Sequence, residues 1–176
     1  LDHEMIISRL IEKPSSYHAN YVFAGIFVLF RDIFDLLEKY KEGLIVTSAF
    51  LNGEIGYSFF SSQDDRAERV ALRLKSIFKE DFYLEIQNHN VPEEESVREK
   101  MIALSKKHSI PLVATNDTRY TFKEDAIDYE VMRCIGMGTH LNSPNKPKSL
   151  PPEYYIKSSD EMQQLFQDYP EALTNT

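Results

Sequence analysis

The feature that most constrains this chain is an alternation. Short apolar runs rich in β-branched residues recur between longer segments of helical period. Leu44–Thr47 (LIVT), Phe82–Ile86 (FYLEI) and Pro111–Thr115 (PLVAT) are too short for helices and read as buried strands. Between the first two, Asp64–Phe78 places Ala67, Val70, Ala71, Leu74, Ile77 and Phe78 on one face, the pattern of an amphipathic helix. Pro92 opens another helix, with Glu93, Glu94 and Glu95 in a first turn where carboxylates complement the helix dipole. Val97, Met101, Leu104 and His108 keep that helix periodic, and Lys106 and Lys107 lie near its end. Strand and helix alternating at this spacing predict an α/β fold, a mostly parallel sheet or barrel with outer helices. Loops that follow such strands are where this architecture puts its chemistry.

Further elements follow from local signals. Asp32–Tyr40 has helical spacing, and Gly43 stops it as a C′ glycine does. Glu54–Phe60 reads as a short helix. Thr121 and Glu124 form a capping-box pattern before Ala126–Ile135, and Ser158 and Glu161 form a second before Glu161–Tyr169. A proline-rich loop, Asn142–Pro152, lies between them.

Composition narrows the function classes. In 176 residues, 42% are hydrophobic and 27% charged, enough for a buried core and against wholesale disorder. Twenty Lys+Arg against 28 Asp+Glu give a net charge of -8, which argues against this chain gripping a phosphate backbone alone. The single cysteine, Cys134, excludes an internal disulfide and a multi-cysteine zinc site. It shares a helical face with Val131 and Ile135 and reads as a buried structural thiol. The longest apolar stretch, Tyr21–Phe30, has about half the ~20 residues of a membrane span. No signal peptide opens the chain, so the cytoplasm is the expected compartment and no membrane partner is expected. A first residue of Leu is expected of a piece of something longer.

The strongest chemical constellation is Asn116-Asp117-Thr118-Arg119, directly after a predicted strand. An acidic residue there serves as a metal ligand or general base, but Asn and Asp also form ordinary turns. His89, in QNHN, follows Phe82–Ile86 in the same way, as a ligand or as a hydrogen-bonded loop residue. His108 reads as a helix-end cation or half-buried face residue, His140 has no partner nearby in sequence, and His3 and His18 stay unassigned. No HxH, HxxxH or HExxH pair occurs. Gly136 and Gly138 are too few for a phosphate loop and read as a helix end. No glycine-rich nucleotide fingerprint or nucleophile elbow is present.

Four strings then occur in order: EKYKEGLIVTSAFLNGEI, FYLEIQNHNVPEE, IPLVATNDTRYTFKEDAIDYEVMRCIGMGTHLNSP and EYYIKSSDEMQQLFQDYPEALTNT. Over residues 38–176 the chain resembles the later half of the PHP (polymerase and histidinol phosphatase) domain, as found at the amino end of the bacterial DNA polymerase III alpha subunit. The resemblance implies part of a distorted (β/α) barrel of PHP type over residues 38–157. It also implies a C-terminal helix leading toward the polymerase core over 158–176, and leaves 1–37 as a poorly matched segment. It places the family's strand-end cysteine at Phe50, after Ser48-Ala49, its final aspartate at Asp117 and its final histidine at Arg119. Phe has no lone pair to donate and Arg stays protonated, so the implied metal centre is degenerate, with Asp117 its vestigial candidate. No catalytic residue and no cofactor is expected in this portion. Zinc or manganese would enter only if the centre were active, and magnesium belongs to the parent polymerase. The implied role is structural and docking, with the rest of the alpha subunit and a proofreading exonuclease subunit as partners. DNA would be held through other domains. The alternatives are an active metal-dependent phosphoesterase or 3'-5' exonuclease of the superfamily, and a free-standing α/β interaction protein.

Overall fold

The computed structural model describes residues 37–176. Residues 37–39 are helical, and Gly43 takes a left-handed φ of 76°, as expected of a residue that ends a helix. The part of the Asp32–Tyr40 helix before residue 37, the Tyr21–Phe30 run, His3 and His18 lie outside the described residues.

Three parallel strands form one sheet in the order β1 (Val46–Thr47), β2 (Phe82–Ile86) and β3 (Leu112–Ala114). Val46 pairs with Phe82, and Leu84 with Leu112. Parallel neighbours need crossovers, and helices supply them. Between β1 and β2 run α1 (Glu54–Phe60) and α2 (Asp64–Phe78); between β2 and β3 runs α3 (Pro92–His108). Phe82, Leu84 and Ile86 alternate along β2 and, with Leu112 and Ala114, join one core with Ala67, Ala71, Val97, Met101 and Leu104. Burial of each such large side chain contributes roughly 1.5–3 kcal/mol.

After β3 come α4 (Ala126–Gly136), α5 (Ser159–Leu165) and α6 (Pro170–Thr174). The outer edge of β3 is covered by side chains: Asn175 Nδ2 donates to the Leu112 carbonyl at 2.8 Å and Thr176 Oγ1 to that of Ala114 at 2.9 Å. No helix among the described residues is long and apolar enough to cross a membrane.

Three local expectations need correction. The predicted strand Leu44–Thr47 shrinks to Val46–Thr47, because Leu44 and Ile45 run past the β2 register into solvent. The Thr121/Glu124 capping box does not form. The chain instead makes a 3-10 turn at Lys123–Asp125, and the Asp125 carboxylate accepts the Phe122 amide at 2.9 Å. The Ser158/Glu161 box does form, with both reciprocal hydrogen bonds, but the helix it starts ends at Leu165. A second helix then begins with Pro170, whose missing N–H suits a first turn.

The turn after β1 is unusually tight. Ala49 and Phe50 both adopt positive φ, 55° and 41°. Such residues cost about 1–2 kcal/mol each, offset here by sealing Phe50 completely in the core. The turn closes only because Gly53 and Gly56 lack a side chain. A Cβ would lie 1.8 Å from the Ser48 carbonyl oxygen at Gly53 and 2.0 Å from that of Phe50 at Gly56.

Candidate functional site

The carboxyl ends of the three strands converge on polar side chains. Glu85, on β2, is buried. Its carboxylate accepts hydrogen bonds from Thr47 at 2.8 Å, Gln87 at 2.8 Å and Thr115 at 2.5 Å, one donor from the end of each strand. Its own amide donates to Ser48 Oγ at 2.8 Å.

His89 lies just beyond β2 and is fully buried. Glu94, also buried, accepts the His89 amide at 2.7 Å and Nδ1 at 2.9 Å. A carboxylate only accepts, so Nδ1 carries the proton. The ring stacks on Tyr154, with centroids 4.1 Å apart and planes 6° from parallel. Nε2 has no hydrogen-bond partner. Burial first, and the Glu94 charge second, push the Tyr154 phenol up to about 12. Glu94 stands in the first turn of α3, as the sequence placed it, and adds a contact that the sequence does not show. It is the third residue of α3, and its carboxylate reaches back to His89 as a capping-box acid reaches back to its N-cap.

Beyond β3, Asp117 and Arg119 form an ion pair. Arg119 Nε and Nη2 reach Asp117 Oδ2 at 3.0 and 2.5 Å, and Nη1 donates to the Tyr129 hydroxyl at 3.0 Å. The guanidinium carbon lies 5.1 Å from the Tyr154 ring centre and 5.9 Å from that of Tyr129. Partial burial opposes the Arg119 charge, but the hydrogen bonds to Asp117 and Tyr129 outweigh it, and the guanidinium pKa rises. Asn116 Nδ2 holds the Tyr155 carbonyl at 2.7 Å and its Oδ1 accepts from Lys157 at 3.1 Å. Burial lowers the pKa of the Lys157 ammonium despite Glu153 and Glu161. Sequence reading overlooked Lys157 and Tyr154, which no motif marks; only the return of the 150s segment to the strand ends brings them in.

The remaining candidates scatter. His108 is mostly buried and its Nε2 meets Glu68 at 2.5 Å on α2. His140 is exposed beside Val131, Cys134 and Leu141, and Cys134 is buried. Among the described residues, no three His, Cys, Asp or Glu are grouped to hold a metal ion. Of the three positions the resemblance assigns to a metal centre, Phe50 is sealed in the core, Arg119 is a cation, and Asp117 is already paired with it. These residues do not fit a metal ion.

Comparison with known proteins adds identity to this geometry. A PHP domain family match covers residues 7–89 and so reaches back into the segment before the described residues. The DNA polymerase III subunit alpha of Campylobacter jejuni is 43% identical over 151 residues, covering 80% of this chain and 13% of the relative. That of Borreliella burgdorferi is 42% identical over 142 residues, covering 81% of this chain and 12% of the relative. That of Helicobacter pylori strain J99 is 39% identical over 151 residues. The chain thus spans about an eighth of the length of these curated relatives. With its parallel α/β sheet, the chain carries a PHP domain match over residues 7–89 and, over about four fifths of its own length, is similar to DNA polymerase III alpha subunits.

Proposed function

We propose that this chain serves a replicative DNA polymerase as a structural and docking portion, its PHP metal centre having lost its ligands. Residues 38–157 make the later half of a distorted (β/α) barrel, and 158–176 lead toward the polymerase core. Nucleotide transfer, with its magnesium, belongs to the parent outside this chain. DNA is held by other domains, in keeping with the charge of -8 here.

The observation that carries the docking role is α4. Only Cys134 of its eleven residues is buried. Ile127, Met132 and Ile135 are 64%, 67% and 71% exposed, and Met137 continues the patch just past the helix end. Contiguous exposed apolar surface of this kind marks an interaction site. Its proposed occupant is the rest of the alpha subunit, since the relatives are about eight times as long as the matched stretch.

The test places glutamate at Ile127 and Ile135 together in the full-length subunit. Neither residue packs in the core, so hydrogen exchange at β2 and α3 stays unchanged while exchange in α4 rises and the subunit loses stability. An α4 that exchanges as in the wild type overturns the docking role. Capture of the proofreading exonuclease subunit by a parent lacking residues 38–157 removes that partner from the reading. Stoichiometric zinc or manganese with chelator-sensitive phosphoesterase turnover overturns the degenerate centre.

A further inference from the structure

The polar atoms around Arg119 raise a question that loss of a metal centre alone does not answer. A strand-end carboxylate that once held a cation is left as an uncompensated charge when the cation goes, and a partly buried one is costly. Asp117 is not left so. The Arg119 guanidinium meets it through two nitrogens and spends its third on Tyr129, on α4. Its backbone amide donates to the Tyr154 carbonyl at 2.7 Å, and the guanidinium lies over the Tyr154 ring, the ring that stacks on His89. One cation therefore touches the end of β3, the first turns of α4 and the returning 150s segment. That is the joining task a metal performs when its ligands come from several strand ends. A guanidinium suits it, because its planar fork offers fixed donors, stacks on aromatic faces and never loses its charge.

We infer that the Arg119 guanidinium is the permanent cation of this site, standing in for a metal as the charge that joins Asp117, Tyr129 and Tyr154. The inference rests on the degenerate-centre reading and adds to it a replacement. The site is closed to divalent ions because Arg119 fills it, and its loops are held without any metal.

The experiment uses the full-length subunit and its R119A and R119K variants. Metal content is measured after equilibration with zinc and then manganese, and hydrogen exchange is followed over residues 117–129 and 152–156. The wild type binds neither ion stoichiometrically. R119A exchanges at least about tenfold faster in both segments, the scale of a lost charge-assisted contact, while β2 and α3 hold their protection. Millimolar guanidinium, well below denaturing levels, restores protection to R119A, and equal sodium chloride does not. R119K recovers only part, since an ammonium lacks the fork. Stoichiometric metal in the wild type defeats the degenerate-centre reading itself. A metal-free wild type whose R119A variant keeps its protection, or is rescued equally by sodium chloride, defeats only the role given to Arg119.

Discussion

Glu94 makes the strongest prediction about what holds the strand-end site together. Replacing it with alanine removes both acceptors of His89, the oxygens 2.7 Å from its amide and 2.9 Å from Nδ1. Both donors belong to His89, which is fully inaccessible in the intact protein. A hydrogen bond to a charged group is worth about 1.5–3 kcal/mol, and an orphaned buried donor costs about 1–3 kcal/mol. These figures overlap for each donor, so they do not simply add; two orphaned donors put the loss at about 2–6 kcal/mol. A central value near 4 kcal/mol corresponds to roughly a thousandfold rise in local opening. E94Q keeps the shape and one acceptor but turns an NH₂ toward the second donor, so its effect falls near 2 kcal/mol. Native-state hydrogen exchange on the full-length subunit reads this directly, at the amides of Gln87–Asn90 and at Thr115, which donates to the Ile86 carbonyl. A global melt of a multidomain chain does not isolate it. If E94A speeds these amides less than about threefold, under ~0.7 kcal/mol, the pair does not anchor the site. If E94Q equals E94A, charge and acceptor count are not what matters.

Two further outcomes follow from particular contacts. G56A puts a Cβ 2.0 Å from the Phe50 carbonyl oxygen, so the β1 turn must open; the expected loss is about 1–3 kcal/mol, read as exchange at Ser48–Gly56, and an unchanged turn refutes the packing argument. The Glu161 carboxyl is held down to about 2 by the Tyr155 hydroxyl first and the Ser158 amide second. A depressed folded pKa stabilises fully above the unfolded carboxylate value of about 4.3. That contribution drains as pH falls toward 2, so a carboxyl NMR titration with its midpoint above 4 refutes the assignment.

Much of the frame is legible in the residues. The helical period of Asp64–Phe78 and the proline-opened Pro92–His108 reproduce α2 and α3 end to end. The first rests on periodicity and the second on periodicity and a proline start, and both signals are local. Strand ends are less legible, since Leu44 and Ile45 are as apolar and β-prone as Val46 but find no register opposite them. Capping chemistry is ambiguous by a residue where two acids adjoin, and Asp125 rather than Glu124 takes the free amide.

The candidate site divides in the same way. Sequence by itself determined the alternation, the crossover helices, Asp117 at a strand end and a permanent cation, Arg119, where the resemblance places a histidine. These are consequences of residue type, spacing and resemblance. Tertiary structure alone decided that His89 is buried, that Glu94 turns inward to meet it, and that Tyr154 returns from a proline-rich loop to lie against both His89 and Arg119. The physical reason is sequence distance. Arg119 and Tyr154 are separated by a helix and a loop, and no periodicity connects residues that meet only because three parallel strands end side by side.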